Sequence, residues 1–443
     1  MKKFVLFFIA LALSTMTNAF AIGAGSCGEN VYWFLENGKL TIKGIGDMDN
    51  YEDDDHNRCP WWKDRFEIYK VEIEDGVTSI GDYAFDAAAN ASEIIIPNSV
   101  KSIGKYAFYY WIKAATITLP DGVTAIGEFA FAECERLTSI NIPNSVTAIN
   151  KGVFWACTSL TSITIPNGVE TINDYVFYGC TGLTSITIPN SVTHIGNYTF
   201  EGCTGLTSVT IPKSVESIYV NPFKNCPNIE KIAIEEGNTR YDSRDDCNAI
   251  IDKNKKTMLA GCKNTIIPST ITGIEYAAFS GNTSLTTITI PSNIERISGR
   301  VFYECTNLKD VKVLATKAPT PLNSYPPNDD MFSDYTIPLY VPAESIDNYK
   351  ATSPWNRFTT ILPLESSNLA SQQNKTMKIE YNDGTLYIND ANNGALVNVY
   401  TAKGHEIGSA VINNGKATIS ISLPQGSIAI VKIGQKSEKV IIK

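Results

Sequence analysis

Residue types that often carry catalytic chemistry are scarce in this sequence. Histidine occurs three times, as His56, His194 and His405, each in a different segment. Nothing around them predicts a Ser-His-Asp or Cys-His arrangement, whose members must lie side by side. The sequence also has no GxxxxGKS or GxxxxGKT loop for a phosphate group. We therefore predict a protein that is not an enzyme, has no catalytic residues and needs no cofactor.

The acidic run Glu52-Asp53-Asp54-Asp55-His56 contains possible metal ligands. Such residues could in principle bind calcium or a transition metal, but this run lacks the regular ligand spacing of a known metal loop. A solvated acidic turn explains the same residues. We predict no metal site.

The ten cysteines raise the question of disulfide chemistry. Five of them recur at one constant spacing, each three places after a phenylalanine: Cys134, Cys157, Cys180, Cys203 and Cys226. One repeated position indicates one structural role, and we interpret it as a buried free thiol that packs as a small apolar group. The disulfide candidates lie outside this register and are Cys247 with Cys262 and Cys27 with Cys59.

Phenylalanine follows the same 23-residue period as these cysteines. The positions are Phe85, Phe108, Phe131, Phe154, Phe177, Phe200 and Phe223, then Phe279 and Phe302 after a gap of more than two periods. A period of 20 to 29 residues with spaced Leu and Ile positions predicts a leucine-rich-repeat solenoid. The fold class is therefore mainly β, with about ten coils, β caps at both ends and a small C-terminal β-sandwich.

One unit, residues 160–180, shows how a coil forms. Ser162 to Ile165 alternates polar and apolar residues and predicts a short strand, which Pro166 ends because it cannot donate a ladder hydrogen bond. The inward-pointing side chains that follow are those of Val169, Ile172, Val176, Phe177 and Cys180. One coil cannot bury these residues alone, so stability must come from stacking on its neighbours.

The N-terminus has the features of an export signal. Lys2 and Lys3 precede an apolar run from Phe4 to Leu13, and Ala19-Phe20-Ala21 matches a small-x-small cleavage site. The run is too short to span a bilayer, so we expect an exported chain without a transmembrane segment. The predicted divisions are a signal peptide (1–21), front cap (22–66), solenoid (67–313) with an insertion at about 235–265, rear cap (314–365), linker (366–376) and β-sandwich (377–443).

Turn and strand signals mark the caps and the insertion. Asn37-Gly38 predicts a hairpin turn in the front cap. In the insertion, the runs "NAIIDK" and "TMLAGC" predict a β-hairpin that projects from one edge of an elongated coil. The rear cap combines a Pro-rich loop from Pro319 to Pro327, an "IPLYVP" strand and a short helix near Ser345 to Tyr349.

Charge limits the choice of partner. The formal net charge is −9, and removal of residues 1–21 leaves 35 basic against 46 acidic residues, or −11. Nucleic acids and anionic membranes need a basic surface, so we expect neither as a partner.

Two repeated surfaces are candidates for binding. The first is a row of outward-facing hydroxyl groups on the strands: Ser162, Thr164, Ser185, Thr187, Ser208 and Thr210. They could bind a polysaccharide or an extended peptide, although Ser and Thr are also simply favourable on an exposed strand. The second surface consists of aromatic residues that follow the repeated Phe and that we expect to be exposed anchors: Tyr109, Trp155, Tyr178 and Tyr303.

Another aromatic row, two places before the Phe, is predicted to stiffen the solenoid by stacking. Its members are Tyr83, Tyr106, Phe129, Tyr175 and Tyr198, with Gly152 as an interruption.

The segments "GAGSCGENVYWFLENGKLTIKGIGDMDNY" and "CPWW", followed by units such as "LTSITIPNSVTHIGNYTFEGC", resemble the BspA-like leucine-rich-repeat proteins over residues 24–365. The resemblance implies a secreted or surface protein of the kind linked to attachment to host matrix proteins, co-aggregation and innate-receptor stimulation. It supplies no binding residues common to the family.

The C-terminal segments "ALVNVYTAKGHEI", "SLPQGSIAIVKIG" and "KVIIK" are similar to the sorting domain of type IX secretion cargo. This likeness implies delivery to the outer surface of a Gram-negative cell or to the medium, with an accessory sandwich as the alternative. We therefore predict a monomeric, secreted or cell-surface protein that mediates adhesion by binding a host matrix or cell-surface protein. The alternative is a glycan-binding module for nutrient capture, whose partner is a polysaccharide.

Overall fold

The computed structural model describes residues 21–54, 56–321, 330–364, 378–389, 395–412, 416–433 and 436–442. The predicted signal peptide apart from Ala21, the predicted linker and most of the Pro-rich loop lie outside these residues.

One side of each coil is a short strand that pairs in parallel with the equivalent strand of the next coil, as Thr116 does with Ser139. This strand row consists of Lys70–Ile73, Glu93–Ile95, Thr116–Ile117, Ser139–Ile140, Ser208–Ile211, Lys231–Ile234, Thr287–Ile290 and Asp310–Val313. Between its second pair and third pair of strands, single parallel bridges join Asn141 to Thr164 and Thr164 to Thr187. The strand predicted after Leu160 is thus reduced to one bridge residue.

The return side of each coil forms a second parallel row. It consists of Gly46–Asp47, Val77–Ile80, Ser102–Ile103, Ala125–Ile126, Ala148–Ile149, Thr171–Ile172, His194–Ile195 and Ser217–Ile218, and continues after the insertion with Gly273–Ile274, Arg296–Ile297 and Thr320–Pro321. The isoleucine that ends most of these strands is buried. The described residues form about 12 turns rather than ten, because cap strands also pair in parallel with the coils.

The third side is the turn that carries the repeated phenylalanine. The residues two places before and two places after it have positive φ, as Tyr175 (59°) and Gly179 (70°) do around Phe177. This alternation points three backbone N–H groups toward the next coil. Those of Tyr175, Phe177 and Gly179 donate to carbonyl oxygens there at 3.0, 2.8 and 2.7 Å. The turn therefore joins neighbouring coils without helix or sheet.

The phenylalanine rings stack along the interior. Successive ring centroids from Phe85 to Phe223 lie 5.3–5.9 Å apart, within the range of favourable offset stacking. Trp61 of the front cap extends this stack, and behind the insertion a second stack joins Phe279, Phe302 and Phe332 of the rear cap. The predicted register of the core is confirmed.

The repeated cysteine completes the turn. Each thiol lies 3.0–3.3 Å from the carbonyl oxygen of the phenylalanine in the preceding coil, and Cys305 makes the same contact with Phe279. In the coil of Phe108 the equivalent position is Trp111, whose Nε1 donates to Phe85 O at 2.7 Å. The same carbonyl also accepts a backbone N–H within its own coil, as Phe154 O does from Cys157 at 3.2 Å. The position therefore supplies a second, buried donor that joins neighbouring coils.

All ten cysteines lie in described residues, and all are buried free thiols. The packing role predicted for the five in register is confirmed. The pairing of Cys247 with Cys262 and of Cys27 with Cys59 is wrong. Cys262 instead lies 3.5 Å from Asn248 O, and Cys247 lies 3.9 Å from the Ser243 hydroxyl.

The insertion does not project from the solenoid. Its three strands, Tyr241–Asp242, Ala249–Asp252 and Thr257–Gly261, are antiparallel neighbours, and the third pairs in parallel with Gly273–Ile274 of the return row. Side chains on both faces are buried, because Ile250 and Ala260 face the front core while Ile251 and Met258 face the rear core. The prediction that this hairpin projects from the solenoid is therefore wrong, because the hairpin lies inside it, between the front core and the rear core.

The caps cover the ends of the core. In front, Ala21–Gly28, Val31–Glu36 and Lys39–Gly44 form an antiparallel meander with its turn at Asn37-Gly38, where φ is 47° and 71°. The short 3-10 helix Trp62–Glu67 follows it. The rear cap comprises the strands Leu339–Val341 and Ile361–Pro363, the α-helix Ile346–Ala351, and the 3-10 helices Ala343–Ser345 and Trp355–Arg357.

The C-terminal strands form two antiparallel sheets. One contains Lys378–Asn382, Thr385–Asn389 and Lys416–Ser420, and the other contains Leu396–Thr401, Glu406–Val411, Ile428–Ile433 and Lys436–Ile441. Leu386 and Ile419 of the first sheet share a buried core with Val399 and Val431 of the second. This arrangement is the predicted small sandwich.

We expect Phe177→Ala to lower the free energy of unfolding by about 3–5 kcal/mol, because it removes a fully buried ring from the stack. Ser162→Ala, at an exposed position of the same coil, is the control and should change stability by less than about 0.5 kcal/mol. Denaturant unfolding followed by circular dichroism measures both. Equal midpoints for the two variants would contradict the assigned core.

The in-register thiols should resist alkylation at pH 8.5 until the chain unfolds. Burial raises the pKa of Cys134, Cys180 and Cys226 to about 12, and the thiolate is the reactive form. An exposed cysteine introduced by Thr187→Cys is the control and should react with iodoacetamide in the folded protein. Mass spectrometry locates the labelled sites, and labelling of Cys180 at the control's rate would contradict its burial.

Candidate binding surfaces

The outward side of the strand row is a neutral hydroxyl surface, here called the strand face. Its exposed positions across five coils are Thr116, Thr118, Ser139, Asn141, Ser162, Thr164, Ser185, Thr187, Ser208 and Thr210. Neighbouring strands lie about 4.8 Å apart, so the face runs for about 20 Å. The structure places all six hydroxyl residues chosen from the sequence on this face.

The hydroxyl groups of those six residues form no hydrogen bond with other atoms in the described part of the chain. Thr161 and Thr184, one place earlier, instead have hydroxyl groups within 3.5 Å of backbone oxygens in the preceding coil. The side chains of Ser162 and Thr164 contribute no such bond, so their donors and acceptors face solvent. The strand face can therefore form hydrogen bonds with a partner without losing internal ones.

Apolar and charged groups border the strand face. Ile95 is 48% exposed in the coil before it, and Ile266, one repeat period before Thr289, is 64% exposed beyond its other end. On the same strand as Ile95, Glu93 is exposed and pairs with Lys70 of the coil before it at 3.1 Å. At the other end, the exposed Lys231 is aligned with Ser208. The neutral strip thus lies between two charged positions, Glu93 in front and Lys231 behind. Ile95 beside Glu93 could contact an apolar side chain of a bound segment.

The four aromatic residues that follow the repeated phenylalanine are half-buried rather than exposed. Trp155 lies 5.9 Å from Phe129 and 5.8 Å from Tyr178, centroid to centroid, and Tyr178 also contacts Tyr175. These rings therefore pack against the other aromatic row. The prediction of freely exposed anchors is wrong, because neighbouring side chains cover part of each ring.

These four aromatics also do not form one continuous edge. Only Trp155 and Tyr178 occupy neighbouring coils. Tyr109 donates to Glu133 at 2.9 Å, and burial together with this carboxylate raises the pKa of Tyr109. Tyr303 lies beyond the insertion, where Arg300 packs over its ring at 5.3 Å.

The second aromatic row is a stack, as predicted. Tyr83, Tyr106 and Phe129 stack with centroids 4.8 and 5.0 Å apart, and Tyr175 stacks on Tyr198 at 5.5 Å. At Gly152 the stack is interrupted because the Phe129 ring occupies the space of a side chain: a Cβ there would lie 2.2 Å from that ring. Burial raises the pKa of Tyr83 to about 12.

A depression on the return side was missed by the sequence predictions. It has a volume of about 190 Å³ and lies between Asn173 and Asp174 in one coil and Tyr219 two coils further on, with Gly196 and His194 between them. Tyr219 is 61% exposed. The sequence signal was that Tyr219 stands at a repeat position which is glycine or asparagine from residue 81 to residue 196.

Within the described residues no group of three or more His, Cys, Asp and Glu side chains is arranged to hold a metal ion. In the same part of the chain, no helix has the length and apolar character needed to span a membrane. In the acidic run, Glu52, Asp53 and Asp54 are exposed. Asp54 accepts backbone hydrogen bonds from His56 and Asn57, which lower its pKa.

The chain is a β-solenoid with a spacing of 23 residues between its coils. The family described as BspA type leucine-rich repeat region matches six copies over residues 62–184, 170–245 and 251–324, more than half of the chain. The chain belongs to the BspA-type leucine-rich-repeat family. No curated protein matches the sequence.

Solved structures similar to this BspA-type protein come from several bacteria. A leucine-rich repeat protein from Bacteroides ovatus is 20% identical with a TM-score of 0.44, and the match covers 80% of this chain and all of that one. One from Eubacterium ventriosum is 23% identical with a TM-score of 0.37, covering 77% and 84%. A leucine rich cell surface protein from Faecalibacterium prausnitzii is 24% identical with a TM-score of 0.38, covering 68% and 96%.

Membership of the BspA-type family gives a coarse function. Its repeats form a scaffold that typically binds proteins through its surface and is typically not enzymatic, and its members are often secreted or exposed at the cell surface. The stacked coils suit such a role because equivalent side chains recur in straight rows.

We expect Trp155→Ala to lower the free energy of unfolding by about 1–3 kcal/mol, since it removes a half-buried ring with two aromatic contacts. Thr164→Lys, on the strand face, should change it by less than about 0.5 kcal/mol. Thermal and denaturant unfolding of both variants measure the difference. A Trp155→Ala variant as stable as the native chain would restore the interpretation of an exposed anchor.

Proposed function

We propose that this protein is exported and mediates adhesion by binding an extended segment of a host matrix or cell-surface protein on its strand face. The observation that carries the proposal is the neutral strip of solvent-facing side chains from Thr116 to Thr210, in which the six hydroxyl groups of the last three coils make no internal hydrogen bonds. Such groups orient a polypeptide backbone without the desolvation cost of charges.

The residues next to the strip support a protein segment as its ligand. Ile95 leaves a large apolar side chain in water at the front end of the strip, and contact with an apolar side chain of the partner would remove that area from solvent. The half-buried Trp155 and Tyr178 are less suited to anchoring because part of each ring is already covered. We retain Tyr109 and Tyr303 only as secondary candidates.

The export route belongs to the same proposal. The signal peptide of residues 1–21 would direct the chain out of the cytoplasm, and the C-terminal sandwich would act as a sorting domain for the cell surface or the medium. The alternative function, a glycan-binding module for nutrient capture, would use the same hydroxyl groups with a polysaccharide.

A paired substitution tests the strand face. The protein and its variants are applied to an array of immobilised matrix proteins and glycans, with binding quantified by surface plasmon resonance. We expect Thr164→Lys with Thr187→Lys to weaken binding to a matrix protein at least about tenfold, because two charges must be desolvated at the centre of the strip. Asn167→Lys with Asn190→Lys places the same charges in the turns of the same coils and should leave binding unchanged.

Unchanged binding by the Thr164 and Thr187 double variant would contradict the proposed surface. Binding to glycans alone, lost in the same variant, would replace adhesion with the nutrient-capture alternative. A measurement of hydrodynamic size in the same buffer checks the expected monomer.

A further inference from the structure

We propose that the depression around Gly196 binds one neutral pyranose ring of a saccharide. This site lies on the return side of the coils, away from the strand face, and takes a different class of ligand from the proposed protein partner. The two proposals can therefore fail independently.

The depression exists because one repeat position changes its side chain over three coils. Strand pairing places Ile172, Ile195 and Ile218 in one row, so the next residues, Asn173, Gly196 and Tyr219, also form a row. Gly196 has no side chain and forms the floor, while Asn173 and Tyr219 form walls on its two sides. A Cβ at Gly196 would lie 2.5 Å from backbone atoms of Asn173 and Asp174.

The polar walls each retain hydrogen-bonding capacity. Asn173 Nδ2 donates to Ile149 O at 3.1 Å, which leaves the amide oxygen to accept from a ligand. Asp174 Oδ1 accepts from the backbone N–H and the side-chain amide of Asn197, at 2.6 and 3.1 Å, which leaves Oδ2. His194 Nδ1 lies 2.7 Å from the Thr193 hydroxyl, which leaves Nε2.

Tyr219 supplies a surface of another kind. Its ring is 61% exposed, so a ligand that covers it would remove apolar area from water. An aromatic ring has a negative face, and the axial C–H groups on one face of a pyranose carry partial positive charge. A sugar ring stacked on Tyr219 would place its hydroxyl groups toward the planar polar groups of Asn173, Asp174 and His194.

The volume of the depression and the charge of its lining restrict the class of ligand further. Pockets for drug-sized ligands are about 300–1,000 Å³, so 190 Å³ suits one ring rather than a peptide or a cofactor. The carboxylate of Asp174 disfavours an acidic sugar at this position. The geometry therefore points to a neutral hexose or pentose unit, with the rest of a chain extending into solvent.

The test uses the full chain without its predicted signal peptide and a panel of soluble oligosaccharides: cellohexaose, xylohexaose and tetragalacturonate. We expect cellohexaose and xylohexaose, the two neutral sugars, to bind more strongly than tetragalacturonate. Saturation-transfer NMR should show signals from a terminal or internal ring, and calorimetry measures the affinity. Tyr219→Ala should weaken binding at least about tenfold, and Tyr219→Phe should retain it within about threefold because the ring remains.

Matched controls separate this site from the strand face. Tyr387→Ala, which removes another exposed tyrosine in the C-terminal sandwich, should leave saccharide binding unchanged, as should Thr164→Lys with Thr187→Lys. The Tyr219→Ala variant should unfold at the same midpoint as the native chain, which would show that its fold is intact. The proposal is overturned if neither neutral sugar binds at about 10 mM, or if Tyr219→Ala binds as well as the native chain.

Discussion

The structure depends on one requirement: a single coil cannot satisfy its backbone or bury its apolar side chains without a neighbour. The Phe turn meets this requirement, because its two left-handed residues aim three N–H groups at the next coil. The phenylalanine ring then stacks on its equivalents, and the cysteine thiol contacts a carbonyl oxygen of the coil before it. Both candidate binding surfaces exist because this turn holds successive coils in constant register.

Periodicity made much of the fold predictable. The positions of Phe177, Ile172 and Cys180 in the interior follow directly from spacing, because a side chain that recurs every coil must have the same environment each time. Spacing does not reveal partners, however. It could not show that Cys180 contacts Phe154 O, nor that Trp111 replaces the thiol as a donor in another coil.

The errors arose where the period breaks or where the backbone is unusual. The insertion interrupts the register, so sequence alternation could not tell whether strand Ala249–Asp252 was buried on one face or on two. Trp155 is expected in solvent from its spacing, but its ring packs on Phe129, which fills the space left by the absent side chain of Gly152. The outward direction of the hydroxyl residues on the strand face follows from the regular alternation of a strand. The depression at Gly196 depends instead on a missing side chain and leaves only an indirect signal at Tyr219.

The buried hairpin of the insertion divides the apolar interior of the solenoid into two cores. Ile250 belongs to the front core and Ile251 to the rear core. In an unbroken solenoid, a coil that opens exposes the next, and fraying can travel the whole length. Here, unfolding that begins at the rear cap reaches the strands of the insertion, which contact coils on both sides. The coils that carry the strand face and the depression can therefore stay folded while the rear core opens.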